Sequence, residues 1–288
     1  MNKLLKTLVF NGELSLTILD TTEMVNQAIK IHKLTPLCAA ALGRALTACT
    51  FMASGLKNKN DKLSVTIAGD GVGGKITVCG NGDLFMRGYI DNPTVDLPLK
   101  QNGKLDVGGC VGKNGRITVV KSMGLKEPYS GSCELVSGEI AEDFTAYYAF
   151  SEQTPTAMAL GVKIGKDLTC VGAGGVILQA LPGAKEENLI KGEEIINSLK
   201  DISSLIEKNG AEWVLKTYFN TEQCTSLTPE YKCLCSKEYV EKIIISLGQK
   251  EANDIIKEQG KIQVDCQFCN NNYQFLQEDI DKLFNKNN

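Results

Sequence analysis

Four cysteines stand in two close pairs near the C-terminus, Cys233-Leu234-Cys235 and Cys266-Gln267-Phe268-Cys269, with 30 residues between the pairs. Thiolate sulfur is a soft ligand, and tetrahedral zinc takes four such ligands at about 2.3 Å, commonly from two short loops that a foldable segment brings together. The chemistry this spacing offers is metal ligation by Cys233, Cys235, Cys266 and Cys269, one zinc ion per chain. The single-residue gap in the first pair sets the site apart from a ribbon built on two C-x-x-C loops. The other seven cysteines, Cys38, Cys49, Cys79, Cys110, Cys133, Cys170 and Cys224, are scattered, and the reading for them is packing as small buried hydrophobes. His32 is the only histidine. A Ser/His/Asp or Cys/His catalytic pair would have to be built on it, yet it sits inside a helix between Ile31 and Lys33 and reads as packing.

A zinc site has a physical role in a unit of this size. The last 56 residues, from Cys233, are few enough that an apolar core alone is marginal, and a metal commonly supplies the missing stability. Structural zinc contributes about 10–16 kcal/mol of apparent binding free energy against about 5–15 kcal/mol for the whole stability of a typical domain. Loss of the metal should therefore unfold this unit. Four thiolates are also oxidisable, so the site can exist reduced, metallated and folded, or oxidised, metal-free and open.

Two other readings of the same cysteines compete. A zinc module for nucleic acid needs positive charge, but 233–288 holds seven lysines, no arginine and nine acidic residues. A thiol oxidoreductase would put Cys266-Gln267-Phe268-Cys269 at a helix N-terminus after a strand, and no such strand–helix pattern surrounds it.

The elements that must position these thiols can be read from periodicity. Residues 20–57 read as two helices, the first with a capping box of Asp20 and Glu23, the second with Thr35 as N-cap, Pro36 in the first turn and a run of alanines suited to close packing on a sheet. From Leu63 to Leu135 the apolar period is two, bounded by glycine turns, which gives short antiparallel strands. A helix over 138–152 and strands over 157–162 and 175–180 follow. Pro182-Gly183 stops the last strand. Residues 184–231 read as helical and charged, with Ile195, Ile196, Leu199, Ile202, Leu205 and Ile206 in an apolar stripe. In the last unit Ser236 caps a helix to Leu247, Gly248 and Gly260 stand at helix ends, and strands over 261–264 and 273–275 place Cys266 and Cys269 in a hairpin turn. The fold class is α+β: an N-terminal α/β domain with antiparallel sheets and helices over 1–181, a helical linker over 182–232, and a small zinc-binding domain over 233–288.

Several function classes are disfavoured. Gly69-Asp70-Gly71-Val72-Gly73-Gly74-Lys75-Ile76 imitates a phosphate loop, but it runs into a β-branched strand pattern and has Ile76 where a metal-binding hydroxyl belongs, so no nucleotide is expected. The net charge of −3 and three arginines in 31 basic residues argue against a nucleic-acid surface. Met1–Phe10 is too short for a signal h-region, and no run approaches about 18 continuous apolar residues. The expectation is a cytoplasmic protein that binds neither nucleic acid nor membrane and is not an enzyme.

The motifs resemble those of the bacterial 33-kilodalton heat-shock protein family, redox-regulated and ATP-independent holdase chaperones. The resemblance rests on Cys233-x-Cys235-Ser236, Glu258-x-Gly260-x-Ile262-x-Val264-x-Cys266-x-Phe268-Cys269, Tyr273 and Phe275, and upstream on Arg87-Gly88-Tyr89, Gly138-Glu139-Ile140-Ala141, Ser151-Glu152-Gln153-Thr154-Pro155 and Leu181-Pro182-Gly183. It implies that the reduced, zinc-bound form is inactive. Peroxide or hypochlorous acid with mild unfolding would then form the disulfides Cys233–Cys235 and Cys266–Cys269, release zinc and unfold the linker. The protein would dimerise and capture unfolding clients on exposed apolar surface.

Overall fold

The first two strands are apolar on both faces. β1 (Lys3–Val9) and β2 (Leu14–Asp20) pair antiparallel. Leu4 and Leu19 point into one core, while Leu5, Val9, Leu14, Leu16 and Ile18 point into another. A sheet buried on both sides loses the polar–apolar alternation that marks a half-exposed strand, so this hairpin is not legible from its pattern. A computed structural model of the chain describes residues 1–285.

Two helices follow, α1 (Thr22–His32) and α2 (Pro36–Ala53). The start of α1 differs from the expected capping box. Asp20 accepts from the backbone N–H and hydroxyl of Thr22, at 3.1 and 2.7 Å, and Thr21 takes the cap position without a capping bond, its hydroxyl instead paired with that of Thr47. α2 begins as expected, with the Thr35 hydroxyl accepting from the Cys38 N–H. α2 is long and apolar enough to cross a membrane by length and composition, but it is the central core helix, apolar all round because both sheets of the N-terminal unit pack on it.

The next strands are β3 (Lys62–Ala68), β4 (Ile76–Asn81) and β5 (Phe85–Ile90), then the short helix α3 (Val107–Val111), then β6 (Arg116–Ser122) and β7 (Tyr129–Glu134). The period-two pattern held for the strands; α3, with two glycines among its five residues, carried no helical signal. The phosphate-loop imitation joins antiparallel β3 to β4 as a tight turn. Its glycines answer to crowding: a Cβ on Gly71 would lie 2.3 Å from the Cys110 carbonyl oxygen. α4 (Ala141–Phe150) starts three residues later than predicted, because residues 136–140 form a turn in which the N–H groups of Val136, Ser137, Gly138 and Ile140 donate to the buried Asp143 carboxylate. β8 (Thr156–Ile164) and β9 (Cys170–Ala180) complete the main sheet pairings.

The segment after Pro182 forms α5 (Glu186–Ser198), α6 (Ile202–Asn209) and α7 (Ala211–Phe219). The helical reading fails beyond Asn220. There the chain becomes β10 (Thr225–Leu227), antiparallel to β1, and β11 (Glu230–Tyr231), parallel to β5. Both are too short to show a period, and both form because an unpaired sheet edge was available. The resulting sheet orders are β10-β1-β2-β9-β8 and β11-β5-β4-β3-β6-β7. Cys224 is correspondingly exposed and not the buried hydrophobe expected, and Cys79 and Cys133 are half-buried, while Cys38, Cys49, Cys110 and Cys170 are buried.

Residues 1–232 form one compact unit; a second begins at Cys233. The second unit holds α8 (Lys237–Leu247), α9 (Gln249–Gln259), the hairpin of β12 (Ile262–Asp265) and β13 (Asn272–Phe275), and α10 (Gln277–Asn285). Val240 and Ile244, like Ala252 and Ile256, are one helical turn apart, and they close over Ile262, Phe275 and Ile280.

Candidate metal centre

The four clustered cysteines are carried by two rigid devices. Cys233 and Cys235 lie on the extended segment that enters α8, which is fixed by the Ser236 hydroxyl accepting from the Tyr239 N–H at 3.2 Å. Cys266 and Cys269 occupy the turn of the β12–β13 hairpin. The Cys266 N–H donates to Asn271 O at 2.9 Å, the Asn270 N–H donates back to Cys266 O at 2.8 Å, and Asn270 takes the left-handed backbone (φ 58°) that asparagine tolerates.

These elements bring all four sulfurs within 4.8 Å of one another. Cys233 Sγ is 3.7 Å from Cys266 Sγ, and Cys235 Sγ is 3.3 Å from Cys269 Sγ. Four ligands at about 2.3 Å from a tetrahedral centre stand about 3.8 Å apart, so the cluster fits a zinc ion of the all-thiolate type. A smaller divalent ion preferring oxygen would not choose it.

The electrostatics point the same way. Four thiols this close cannot all ionise without a cation, because each thiolate repels the next. Burial, reinforced by its sulfur neighbours, pushes Cys233 up to about 11, and burial likewise pushes Cys269 upward. At Cys235 burial also opposes ionisation, but hydrogen bonds from the Tyr273 hydroxyl and from Cys269 prevail and bring the thiol below its ordinary value. A cation that binds all four must displace protons, and ligation is then coupled to pH. Tyr273, whose hydroxyl lies 3.2 Å from Cys235 Sγ, is a member of the site that the cysteine spacing did not reveal. Its signal was its place in the strand after the second pair, on the same face as buried Phe275.

His32 belongs to the N-terminal unit. Its Nε2 is 3.1 Å from the Tyr231 hydroxyl oxygen, and that hydroxyl donates to Gly88 O at 2.8 Å. The imidazole therefore donates to a tyrosine whose own proton is already committed. The contact anchors β11, which ends two residues before Cys233.

The apolar stripe predicted for 195–206 lies on the outer face of the five-stranded sheet. Ile196, Leu199, Ile202 and Ile206, joined by Val214 and Leu215 of α7, cover Leu5, Val9, Leu14, Leu16, Ile18, Val176 and Leu178. α6 approaches β9 so closely that a Cβ on Gly172 would stand 2.2 Å from Ser203 O.

A family model described as Hsp33 protein matches residues 2–276. The chain is 43% identical over 290 residues to a 33 kDa chaperonin of Clostridium perfringens strain SM101, covering 98% of this chain and 91% of that relative. It is 40% identical to a 33 kDa chaperonin of Clostridium acetobutylicum, covering 99% and 98%. The crystal structure of a 33 kDa chaperonin, a heat shock protein 33 homologue from Thermotoga maritima, superposes with a TM-score of 0.90 at 32% identity over 100% of this chain and 99% of that one.

Proposed function

The chain belongs to the Hsp33 family, a family of chaperones that bind client proteins and not of enzymes, and on that premise we propose that it is a redox-regulated, ATP-independent holdase of the cytoplasm. The observation that carries this reading is the four-sulfur cluster, whose first cysteine is separated by one residue, Lys232, from β11, the edge strand of the six-stranded sheet that follows the helical cover in the chain. The functional division we assign is a chaperone domain over 1–181, a redox-sensitive linker over 182–232 and a switch domain over 233–288.

In the reduced state Cys233, Cys235, Cys266 and Cys269 are thiolates that hold zinc, which supplies the cross-link between the α8 segment and the β12–β13 turn. On exposure to peroxide or hypochlorous acid, Cys233 pairs with Cys235 and Cys266 with Cys269. Each disulfide forms as one thiolate attacks the oxidant, releasing hydroxide and becoming a sulfenic acid with peroxide or a sulfenyl chloride with hypochlorous acid, and its partner thiolate then displaces hydroxide or chloride from that sulfur, so two electrons pass to each oxidant molecule. Disulfide sulfur is a poor ligand, so the cross-link and the small core it supports are lost.

Unfolding then reaches the linker through the short connection to β11. Release of α5, α6 and α7 uncovers Leu5, Val9, Leu14, Leu16, Ile18, Val176 and Leu178, together with the stripe that covered them. That surface captures unfolding proteins, and the oxidised chain dimerises. The acidic balance of the switch domain leaves no role for nucleic acid, and no membrane is involved.

The test is zinc content and client aggregation measured on one sample before and after peroxide with mild heat. About one zinc per chain and no protection is expected before, no zinc and strong protection after. An oxidised, zinc-free chain that leaves client aggregation unchanged would contradict the reading.

A further inference from the structure

We propose that Tyr273 is a positioning residue of the thiol site: its hydroxyl donates to the Cys235 sulfur and sets how tightly the cluster retains a metal ion. The inference rests on the zinc reading above and adds to it a side chain that is not a ligand.

The donor direction follows from chemistry. A ligating sulfur carries no proton, so across the 3.2 Å between Cys235 Sγ and Tyr273 Oη only the phenol can donate. Such a bond is charge-assisted and stronger than a neutral one. Its value to the site lies in the charge: four thiolates around a divalent cation leave two negative charges to be spread over neighbouring donors. Two backbone amides serve this purpose, that of Cys235 toward the Cys233 sulfur and that of Asn271 toward the Cys269 sulfur. Of these three donors Tyr273 alone is a side chain, and so the one that substitution can alter.

The placement is built rather than incidental. Tyr273 pairs with Val264 across the β12–β13 hairpin, and its ring packs against the core of Val240, Ile244, Ile256 and Phe275. The ring is held by that core while its hydroxyl reaches past the hairpin turn to a sulfur contributed by the other loop. Tyr273 thereby ties the second cysteine pair's hairpin to the first pair by a contact independent of the metal.

The experiment uses the reduced full-length chain and competition for zinc with a chromophoric chelator at fixed pH. Tyr273→Phe keeps the ring and removes only the donor; zinc retention is expected to weaken about tenfold or more, the usual effect of losing a partner behind a metal ligand. Tyr239→Phe, at an exposed tyrosine of α8, should leave retention unchanged. Replacing Tyr273 with 3-fluorotyrosine, a stronger donor of nearly the same shape, should tighten retention about twofold, a change that loss of packing would not produce. It also keeps the test open if Tyr273→Phe disturbs the fold. A wild-type chain that holds zinc while neither change at residue 273 shifts the competition overturns this inference alone. A wild-type chain that holds no zinc overturns the metal reading and this inference with it.

Discussion

The cover of the five-stranded sheet and the C-terminal unit are both small helical structures, yet they are held in different ways. In the cover, α5, α6 and α7 share one apolar cluster with the sheet, in which Leu16, Ile18, Val176, Leu199, Ile202 and Val214 are fully buried. The buried cluster of that interface holds no sulfur among the described residues: its core is aliphatic side chains on aliphatic side chains, rimmed by ion pairs such as Lys3–Glu212 and Lys163–Glu207, and the strength of the core follows the area removed from water. The C-terminal unit buries only Val240, Ile244, Ala252, Ile256, Ile262, Phe275 and Ile280 among its described residues, and its two halves meet at four sulfurs. On the zinc reading proposed above, the first region is stable by burial and the second by ligation. A stress that acts on sulfur will therefore undo the second and leave the first intact unless the two are coupled through the chain.

The largest expected effect is on the ligation side. Stripping the reduced chain of metal with a strong chelator should remove about 10 kcal/mol or more of stability from the C-terminal unit. Amide exchange should then be fast over 237–285 while β3, β4 and β6 stay protected. Protection over 237–285 that survives chelation would erase the contrast between the regions.

Next comes the burial side. Gly172→Ala places a methyl 2.2 Å from Ser203 O and 3.0 Å from Glu207 Cβ, so α6 must lift from β9. A cost of about 3 kcal/mol is expected, with faster exchange in α6 and aggregation suppression that no longer requires oxidant. Unchanged zinc content in the same variant would show that the cover can be released without touching the thiols.

A charged site inside the N-terminal unit sharpens the comparison further. Although burial works against its charge, Glu139 is held below its ordinary pKa by hydrogen bonds from Lys100 and Arg44. A carboxylate depressed in the folded state adds stability above its unfolded pKa and loses it as pH falls through the lower folded value. Glu139→Gln should therefore cost about 2 kcal/mol at neutral pH, and the difference should shrink in thermal melts as pH falls below the ordinary glutamate range and through the lower folded value. It should be independent of redox state.

The smallest effect concerns the connection. Tyr231→Phe removes the hydroxyl that joins Gly88 O and His32 to β11, worth about 1 kcal/mol. A modestly lower temperature for oxidative activation is expected, read as the onset of aggregation suppression in a heating series. No change would mean that β11 is not part of the path between the two regions.

The candidate site was unusually open to sequence reasoning because its ligands sit in short loops whose spacing is a direct geometric statement. Ser236, Gly248 and Gly260 marked the helix ends of the same unit by backbone chemistry that requires no tertiary context. What escaped was set by tertiary context. β1 and β2 carry buried apolar side chains on both faces and so lack a period; β10 and β11 exist only because β1 and β5 offered edges; Cys224 is exposed because its segment became an edge and not a helix. The Asp20–Glu23 pattern satisfied a capping rule, but Asp20 found a nearer donor in Thr22. Tyr273 belonged to the site through a hairpin register that spacing alone does not reveal.

The central claim, that oxidation at the thiols releases the cover of the sheet, is tested most directly by amide hydrogen exchange resolved by segment, on reduced chain and on chain treated with peroxide at mild heat. Protected α5, α6 and α7 are expected in the reduced state, with loss of protection there and over 237–285 after oxidation and β3, β4 and β6 unchanged. Oxidised, metal-free chain in which 186–219 remains as protected as before would contradict it.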